Sequence, residues 1–234
     1  GGILDRNGEI LVDTRPSYDG VSGPEDAGDH GRRDAVLQRL AYRLGRPEAE
    51  LRSVVRGPSK RPPYEGLVLQ RDVEWQDVVA LETHQFELPG ISVQVRTRRA
   101  YPFGTMAAHL LGYVGEVSEK ELANPAFDYR SGDQVGKASL ERVWDRDLRG
   151  APGGQQVEVD ALGRRVRVLE EAPDAAGNNL VLTLDRDLQQ TAEDAMGKFD
   201  GSVVALDPRT GEILLMVSHP AYDPNAFARG VRPA

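Results

Sequence analysis

Arg99-Ala100-Tyr101-Pro102-Phe103-Gly104, continued by Ala108-His109-Leu110-Leu111-Gly112-Tyr113-Val114-Gly115, marks the point where the texture of this chain changes. From here on glycine recurs, at Gly104, Gly112, Gly115, Gly132, Gly136, Gly150, Gly153 and Gly154. Glycine tolerates positive φ and close chain approach, so the recurrence predicts short elements joined by tight turns. One helix stands out among them, from about Ser139 to Leu148, with Leu140, Val143, Trp144 and Leu148 as its apolar residues. Val157 and Val159, the turn Ala161-Leu162-Gly163, and Val166 and Val168 predict a hairpin, and Leu180, Leu182 and Leu184 a further strand. Asp185 is expected to cap a helix carrying Leu188, Ala192, Ala195 and Met196. Ser202–Leu206, the turn from Asp207 to Gly211, and Ile213–Ser218 predict a second hairpin, with a loop from Tyr222 to Ala234 after it.

Working back toward the start, Ile3-Leu4-Asp5-Arg6, Asn7-Gly8 and Glu9-Ile10-Leu11-Val12 read as a hairpin with a two-residue Asn-Gly turn. Gly20–Gly31 has almost no apolar content and reads as a loop. Two short helices follow. One presents Val36, Leu37, Leu40, Ala41 and Leu44 and stops at Gly45; the other presents Leu51, Val54 and Val55 and stops at Gly57. A Pro-rich loop, Pro58 to Pro63, leads to a strand Leu67–Gln70. A helix from about Val73 to His84 is expected next, capped by Asp72 and burying Val78, Val79 and Leu81. Ile91, Val93 and Val95 alternate with polar residues as a strand, closing an α+β unit from Arg32 to Arg98.

The chain has 234 residues, enough for one or two domains with a sizeable core. With Lys+Arg 29 against Asp+Glu 37, a net charge of -8 and a pI of about 5.1, it lacks a strongly basic footprint, and nucleic acid is set aside as a partner. The longest apolar runs, Leu110–Val114 and Ile213–Val217, are strand-sized and too short to span a bilayer. Cys is absent, so disulfides and thiolate metal sites are excluded. The start at Gly1-Gly2-Ile3, without Met or a hydrophobic leader, suggests a processed or truncated beginning.

Chemistry is hard to find. His30, His84, His109 and His219 are scattered, which argues against a metal site. Gly132 to Ser139 imitates a phosphate loop, but the gap between its glycines is one residue short and Ala138 stands where a hydroxyl belongs. Ser218-His219 with Asp223 has the residue types of a triad, yet neighbours on a strand point opposite ways. The carboxylate pairs Asp145/Asp147 and Asp185/Asp187 are explained by helix starts or solvation. No catalytic residue, metal ligand or cofactor site is assigned.

Four stretches taken in order resemble the class B penicillin-binding proteins, membrane-anchored peptidoglycan D,D-transpeptidases. Gly2-Ile3-Leu4-Asp5-Arg6-Asn7-Gly8 is similar to the family's opening G-x-I-x-D-R-N-G. Arg99, Tyr101, Pro102 and Gly104, with His109, Gly112 and Gly115, match R-x-Y-P-x-G and its trailing H-x-L-G-Y-V-G. Gly136-Lys137-Ala138-Ser139-Leu140-Glu141, then Leu148-Arg149-Gly150, follows G-x-x-G-x-E except that Ser139 replaces the second Gly. Val157 to Arg164, Leu182 to Asp185 and Val204 to Ile213 look like the elongation-type branch more than the division-type one.

The resemblance implies an α+β fold: a pedestal with a β-rich anchor and an inserted α/β head, plus the first helix and hairpin of a transpeptidase domain. It places the anchor at 1–31 and 99–185, the head at 32–98 and the truncated start of the transpeptidase domain at 186–234. The family's S-x-x-K, S-x-N and K-[ST]-G motifs are not found, since no Ser has a Lys three residues on, and the chain stops before the catalytic serine is expected. Ser139 and Ser218 are therefore not nucleophiles. By resemblance the partners are a SEDS-type glycosyltransferase, a cell-shape scaffold protein, peptidoglycan precursor through the absent catalytic part, and the membrane through an absent N-terminal anchor. The location is the periplasmic face of the bacterial inner membrane. The residues assigned to the structural motif are Asp5, Arg6, Asn7, Gly8, Arg99, Tyr101, Pro102, Gly104, His109, Gly112, Gly115, Gly136, Glu141 and Gly150, with Arg99 and Glu141 expected as a bidentate ion pair clamping segments together. Two alternatives stand beside this: a complete transpeptidase of which only this part is given, and an unrelated periplasmic binding module.

Overall fold

The computed structural model describes residues 1–22, 30–56, 66–130, 132–151, 153–159 and 165–228. The chain divides into two compact units, one made of Gly1–Arg15, Arg98–Gly153 and Pro173–Ala234, the other of Pro16–Thr97 and Gly154–Ala172. In chain order the first half holds β1 (Ile3–Leu4), β2 (Ile10–Ser22), α1 (His30–Arg43), α2 (Glu48–Arg56), β3 (Leu67–Gln70), α3 (Trp75–Thr83) and β4 (Ile91–Ala100). Then come α4 (Ala108–Leu111), β5 (Val114–Glu116), α5 (Glu119–Leu122), β6 (Gln134–Gly136), α6 (Ser139–Val143) and α7 (Asp145–Arg149). The rest is β7 (Gly154–Val159), β8 (Arg165–Ala172), β9 (Leu180–Val181), α8 (Arg186–Met196), β10 (Gly201–Leu206), β11 (Ile213–His219) and α9 (Pro224–Ala228).

In the first unit β1 lies between two partners. It runs antiparallel to β2, Ile3 opposite Val12, and parallel to β9, Ile3 beside Leu180. Ile3, Leu11 and Val12 are thereby buried with Tyr101, Met106, Leu111, Leu148 and Leu184 in one apolar cluster. The hairpin turn is wider than the sequence suggests. The Asp5 N–H donates to the Glu9 carbonyl and the Gly8 N–H to the Asp5 carbonyl, and of the Asn7-Gly8 pair only Gly8 has positive φ, at 87°. A two-residue type I′ turn needs positive φ at both positions, so Arg6-Asn7-Gly8 forms a three-residue loop instead.

Downstream, β5 and β6 pair with Val114 opposite Gly136, and β10 and β11 with Val203 opposite Val217. The single helix expected over Ser139–Leu148 is two short ones broken at Trp144; Val143 is 74% exposed, while Glu141, Asp145 and Leu148 face inward. Helix α8 is capped by Asp185, whose side chain accepts from the Asp187 and Leu188 N–H groups, as expected. Its buried residue, however, is Gln189 rather than Leu188. The main chain of Met216 on β11 needs both a donor and an acceptor there, which a carboxamide supplies and an alkyl chain cannot. Residues 224–228 of the expected terminal loop form α9.

The second unit packs α1, α2 and α3 around β3 through Val36, Leu37, Leu40, Leu51, Leu69, Val78 and Leu81. Part of the expected Gly20–Gly31 loop is strand: Gly20, Val21 and Ser22 of β2 pair with Gln70, Val68 and Leu67, and His30 already opens α1. The other residues of that segment, the Pro58–Pro63 loop and the turn at 161–163 lie outside the described residues. Asp72 does not cap α3. It sits at φ 53°, its side chain accepts from Ser17 and its N–H donates to Asp19, leaving Glu74 as the uncapped N-terminal residue. Val79 is 48% exposed, on the outer side of a helix whose inner residues are Val78 and Leu81. In this unit β7 and β8 form their own antiparallel hairpin, Gly154 opposite Ala172.

Candidate functional site

Arg99 is the penultimate residue of β4 and Glu141 lies in α6, and the fold brings them together in the interior of the first unit. Arg99 Nε donates to Glu141 Oε1 at 2.7 Å, with the two side chains 8% and 3% exposed. Arg99 Nη1 donates to the Gly1 carbonyl and to Thr14 Oγ1, so one side chain gathers the chain start, β2 and α6. Arg99 Nη2 is buried without a hydrogen-bond partner among the described residues. The pairing is thus single-pronged where a bidentate one was expected, and the same Glu141 Oε1 also receives the Tyr101 hydroxyl at 3.2 Å. Burial, and then the Glu141 charge, push the Tyr101 phenol well above its ordinary range, so it is a fixed donor here.

Close backbone contacts surround this clamp. Gly112 has φ 82°, and a Cβ on it would lie 2.0 Å from the Ala138 carbonyl oxygen; a Cβ on Gly136 would lie 2.0 Å from that of Glu141. Both motif positions therefore admit only hydrogen as a side chain. Ser139, which stands where the resembling motif has Gly, keeps the left-handed conformation at φ 47° and donates its hydroxyl to the His109 carbonyl at 2.6 Å. Asp145 completes the layer, accepting the Gly136 N–H at 2.7 Å and the Tyr129 hydroxyl at 2.9 Å. It is 8% exposed, so solvation does not explain it. Burial and the Asp145 bond push the Tyr129 phenol up to about 12.

A second hub forms at Asp5, 1% exposed. Its carboxylate accepts from the Asn7 and Glu9 N–H groups at 2.7 and 2.8 Å and from the Arg186 N–H at 3.2 Å, the first residue of α8. Burial opposes ionisation, but the donors of Glu9, Arg186 and Asn7 outweigh it and hold the carboxyl below its usual range. The Arg6 N–H donates to the Leu184 carbonyl, Arg6 pairs with Glu212 at 3.4 Å, and Asn7 reaches the Asp185 carboxylate. The opening hairpin is thereby stapled to the start of α8 and to the hairpin behind it.

The remaining motif residues are dispersed around these hubs. Gly8 and Gly104 turn the chain with open space beside them, and Gly150, at φ 73°, packs against the Ala175 carbonyl. His109 Nε2 lies 2.9 Å from the Pro220 carbonyl, and Gly115 passes the Lys137 stem. Exposed Pro102 lines a cleft of about 200 Å³ with Arg15, Arg98 and Asn225. Lys137 itself reaches Glu121; burial works against that carboxylate's charge, but the hydrogen bonds of Lys137 and Ser118 bring it down to about 2. Among the described residues no group of three or more His, Asp or Glu could hold a metal ion. Sequence reasoning missed Asp145, Gln189 and Asn225. Asp145 lies four residues after Glu141, on the same side of a helical path, which was the available signal.

Residues 1–182 match the model of the penicillin-binding protein dimerisation domain, and residues 201–233 that of the penicillin binding protein transpeptidase domain. The peptidoglycan D,D-transpeptidase MrdA of Salmonella typhimurium is 34% identical over 98% of this chain and 37% of its own length. MrdA of Escherichia coli K12 is 31% identical over 98% and 36%. Penicillin-binding protein 3 of Bacillus subtilis is 32% identical over 98% of this chain and 33% of its own length. The chain thus spans about a third of the length of these relatives. Among solved structures, the Helicobacter pylori penicillin-binding protein PBP2 in its complex with MreC superposes with a TM-score of 0.81 at 24% identity, over 99% of this chain and 43% of that one.

Proposed function

The chain belongs to the penicillin-binding proteins through its dimerisation domain, and on that footing we propose that it is the pedestal of an elongation-type class B peptidoglycan D,D-transpeptidase, positioning a catalytic domain rather than performing chemistry itself. The observation that carries this is the Asp5 staple, in which the opening motif holds the N-terminus of α8, where the segment leading to the transpeptidase match begins. Buried carboxylates in the first unit bind other parts of the chain: Asp5 the α8 start, Glu141 the end of β4, Asp145 the Gly136 backbone. That is the organisation of a frame. The anchor, head and transpeptidase-start assignments belong to this proposal, as do the periplasmic location and attachment to the inner membrane. So does contact with a cell-shape scaffold protein, which the complex of the H. pylori relative with MreC supports. A SEDS-type glycosyltransferase is the second partner proposed.

Intact-mass measurement with benzylpenicillin tests the division of labour. The complete gene product is expected to gain one penicilloyl group and the chain 1–234 none. An adduct on the isolated chain would overturn the proposal.

A further inference from the structure

Chain continuity leaves Tyr101 with a difficulty that a distant side chain resolves. β4 ends at Ala100, and Pro102 has no N–H, so the ladder cannot continue past Tyr101. Tyr101 is nonetheless 3% exposed, and its main-chain groups need partners away from water. Asn225 in α9 serves both, taking up the N–H and sharing the carbonyl with the Gly104 N–H, which donates to it at 3.1 Å. Its Oδ1 accepts the Tyr101 N–H at 3.1 Å and its Nδ2 donates to the Tyr101 carbonyl at 3.0 Å, the bonds a neighbouring strand would make. The second Nδ2 proton goes to Asp223 Oδ1 at 2.8 Å, and Asp223 also accepts the Asn225 N–H at 2.9 Å, so the carboxamide is held in one orientation.

The same tyrosine carries its hydroxyl to Glu141, which holds Arg99. Asn225 lies within the transpeptidase match, Tyr101, Glu141 and Arg99 within the dimerisation match. Other contacts stiffen the join: the Tyr222 hydroxyl donates to the Ala108 carbonyl at 3.0 Å, and the Tyr113 and Phe227 rings stack at 4.2 Å.

We propose that Asn225 is a positioning residue that ties the transpeptidase segment to the Arg99–Glu141 clamp through the main chain and the hydroxyl of Tyr101. A disturbance at the clamp then reaches the catalytic domain through one rigid aromatic residue, and the reverse. The inference rests on the pedestal reading above.

The test compares wild type, Asn225→Ala, Asn225→Asp, Glu141→Gln and the Asn225→Ala/Glu141→Gln double variant. In the complete gene product, acylation by a fluorescent penicillin is followed well below the melting temperature, with Leu180→Ala as a control for general destabilisation. Asn225→Ala is expected to slow acylation about tenfold, the scale of losing two neutral hydrogen bonds. Asn225→Asp keeps the acceptor but turns a carboxylate oxygen toward the Tyr101 carbonyl and the Asp223 carboxylate, so it should be at least as slow as Asn225→Ala. The double variant should be no slower than its slower parent, because both substitutions cut one relay. Wild-type acylation in Asn225→Ala, an equal loss in the Leu180→Ala control, or losses that multiply in the double variant would overturn the inference. If wild type takes no penicillin, the transpeptidase reading fails, and amide exchange in this chain decides the relay separately. Faster exchange at residues 139–143 in Asn225→Ala supports it; unchanged exchange there overturns it.

Discussion

Replacing Glu141 with alanine should destabilise the first unit far more than any surface substitution. The change leaves the Arg99 guanidinium, 8% exposed, without its anion, and deprives the Tyr101 hydroxyl of its acceptor. Breaking a buried pair by removing one partner costs about 3–5 kcal/mol, most of it the stranded charge. The orphaned hydroxyl is part of the same network, so its own cost of about 1–3 kcal/mol does not simply add. For a unit of roughly 130 residues, about 3–5 °C per kcal/mol converts the loss to a fall in Tm of about 9–25 °C. The two tryptophans separate the units: Trp144 lies in the first and Trp75 in the second. In a Trp75→Phe background, a fluorescence melt therefore reads the first unit alone. The Arg99→Met/Glu141→Leu double variant should be more stable than Glu141→Ala, because an apolar pair of similar volume carries no stranded charge. If Glu141→Ala melts within about 2 °C of its parent, the clamp contributes little and the reasoning fails.

Three further outcomes follow from neighbouring geometry. Gly136→Ala places a Cβ 2.0 Å from the Glu141 carbonyl oxygen, whereas on Gly115 it meets the flexible Lys137 Cγ at 3.3 Å. Denaturant melts should show a loss of at least about 3 kcal/mol for the first and under about 1 kcal/mol for the second, and equal losses would contradict the close approach. Ser139→Gly relieves the left-handed strain but removes the bond to His109, each about 1 kcal/mol, so its stability should stay near wild type, whereas Ser139→Val keeps the strain, loses the bond and should be less stable. Asp5 has a depressed folded pKa, so its contribution is present above the usual carboxylate range and disappears as pH falls through the folded value. Asp5→Asn should accordingly cost about 2 kcal/mol at pH 7, and the gap from wild type should close in acid; a gap independent of pH would assign the loss to packing instead.

What could be read from the sequence depended on whether a residue's identity records its own conformation or a remote partner's need. Gly112 and Gly136 were legible because excluding a Cβ is a property of the position itself. Asp185 was legible because its cap partners, Asp187 and Leu188, are two and three residues away. Asn225 and Gln189 were not, because each serves main-chain groups of a strand end or edge that comes near only after folding. The break at Trp144 escaped for a related reason: an apolar count favoured Val143 and Trp144, while burial went to Glu141 and Asp145, whose partners lie on β4 and β6. The Asn-Gly turn misled in the opposite direction, since the Asp5 carboxylate accepts the Asn7 and Glu9 N–H groups and so favours the wider loop.

Ser139 shows why the motif could still be recognised through these errors. The resembling pattern asks for glycine there, and serine meets the same left-handed requirement by bonding its hydroxyl to the His109 carbonyl. A motif of this kind therefore specifies backbone paths, and its letters are the commonest way to follow them. The same logic applies to the clamp. Arg99, Tyr101 and Glu141 are conspicuous letters, yet their joint effect is to fix where β4 ends and α6 begins, and Asn225 fixes the same strand end from the opposite side. On the proposed reading, a frame built this way would transmit position through bonds to the main chain. Its function is consequently to be sought in variants that keep the fold but loosen one such bond, rather than in the removal of any single charged group.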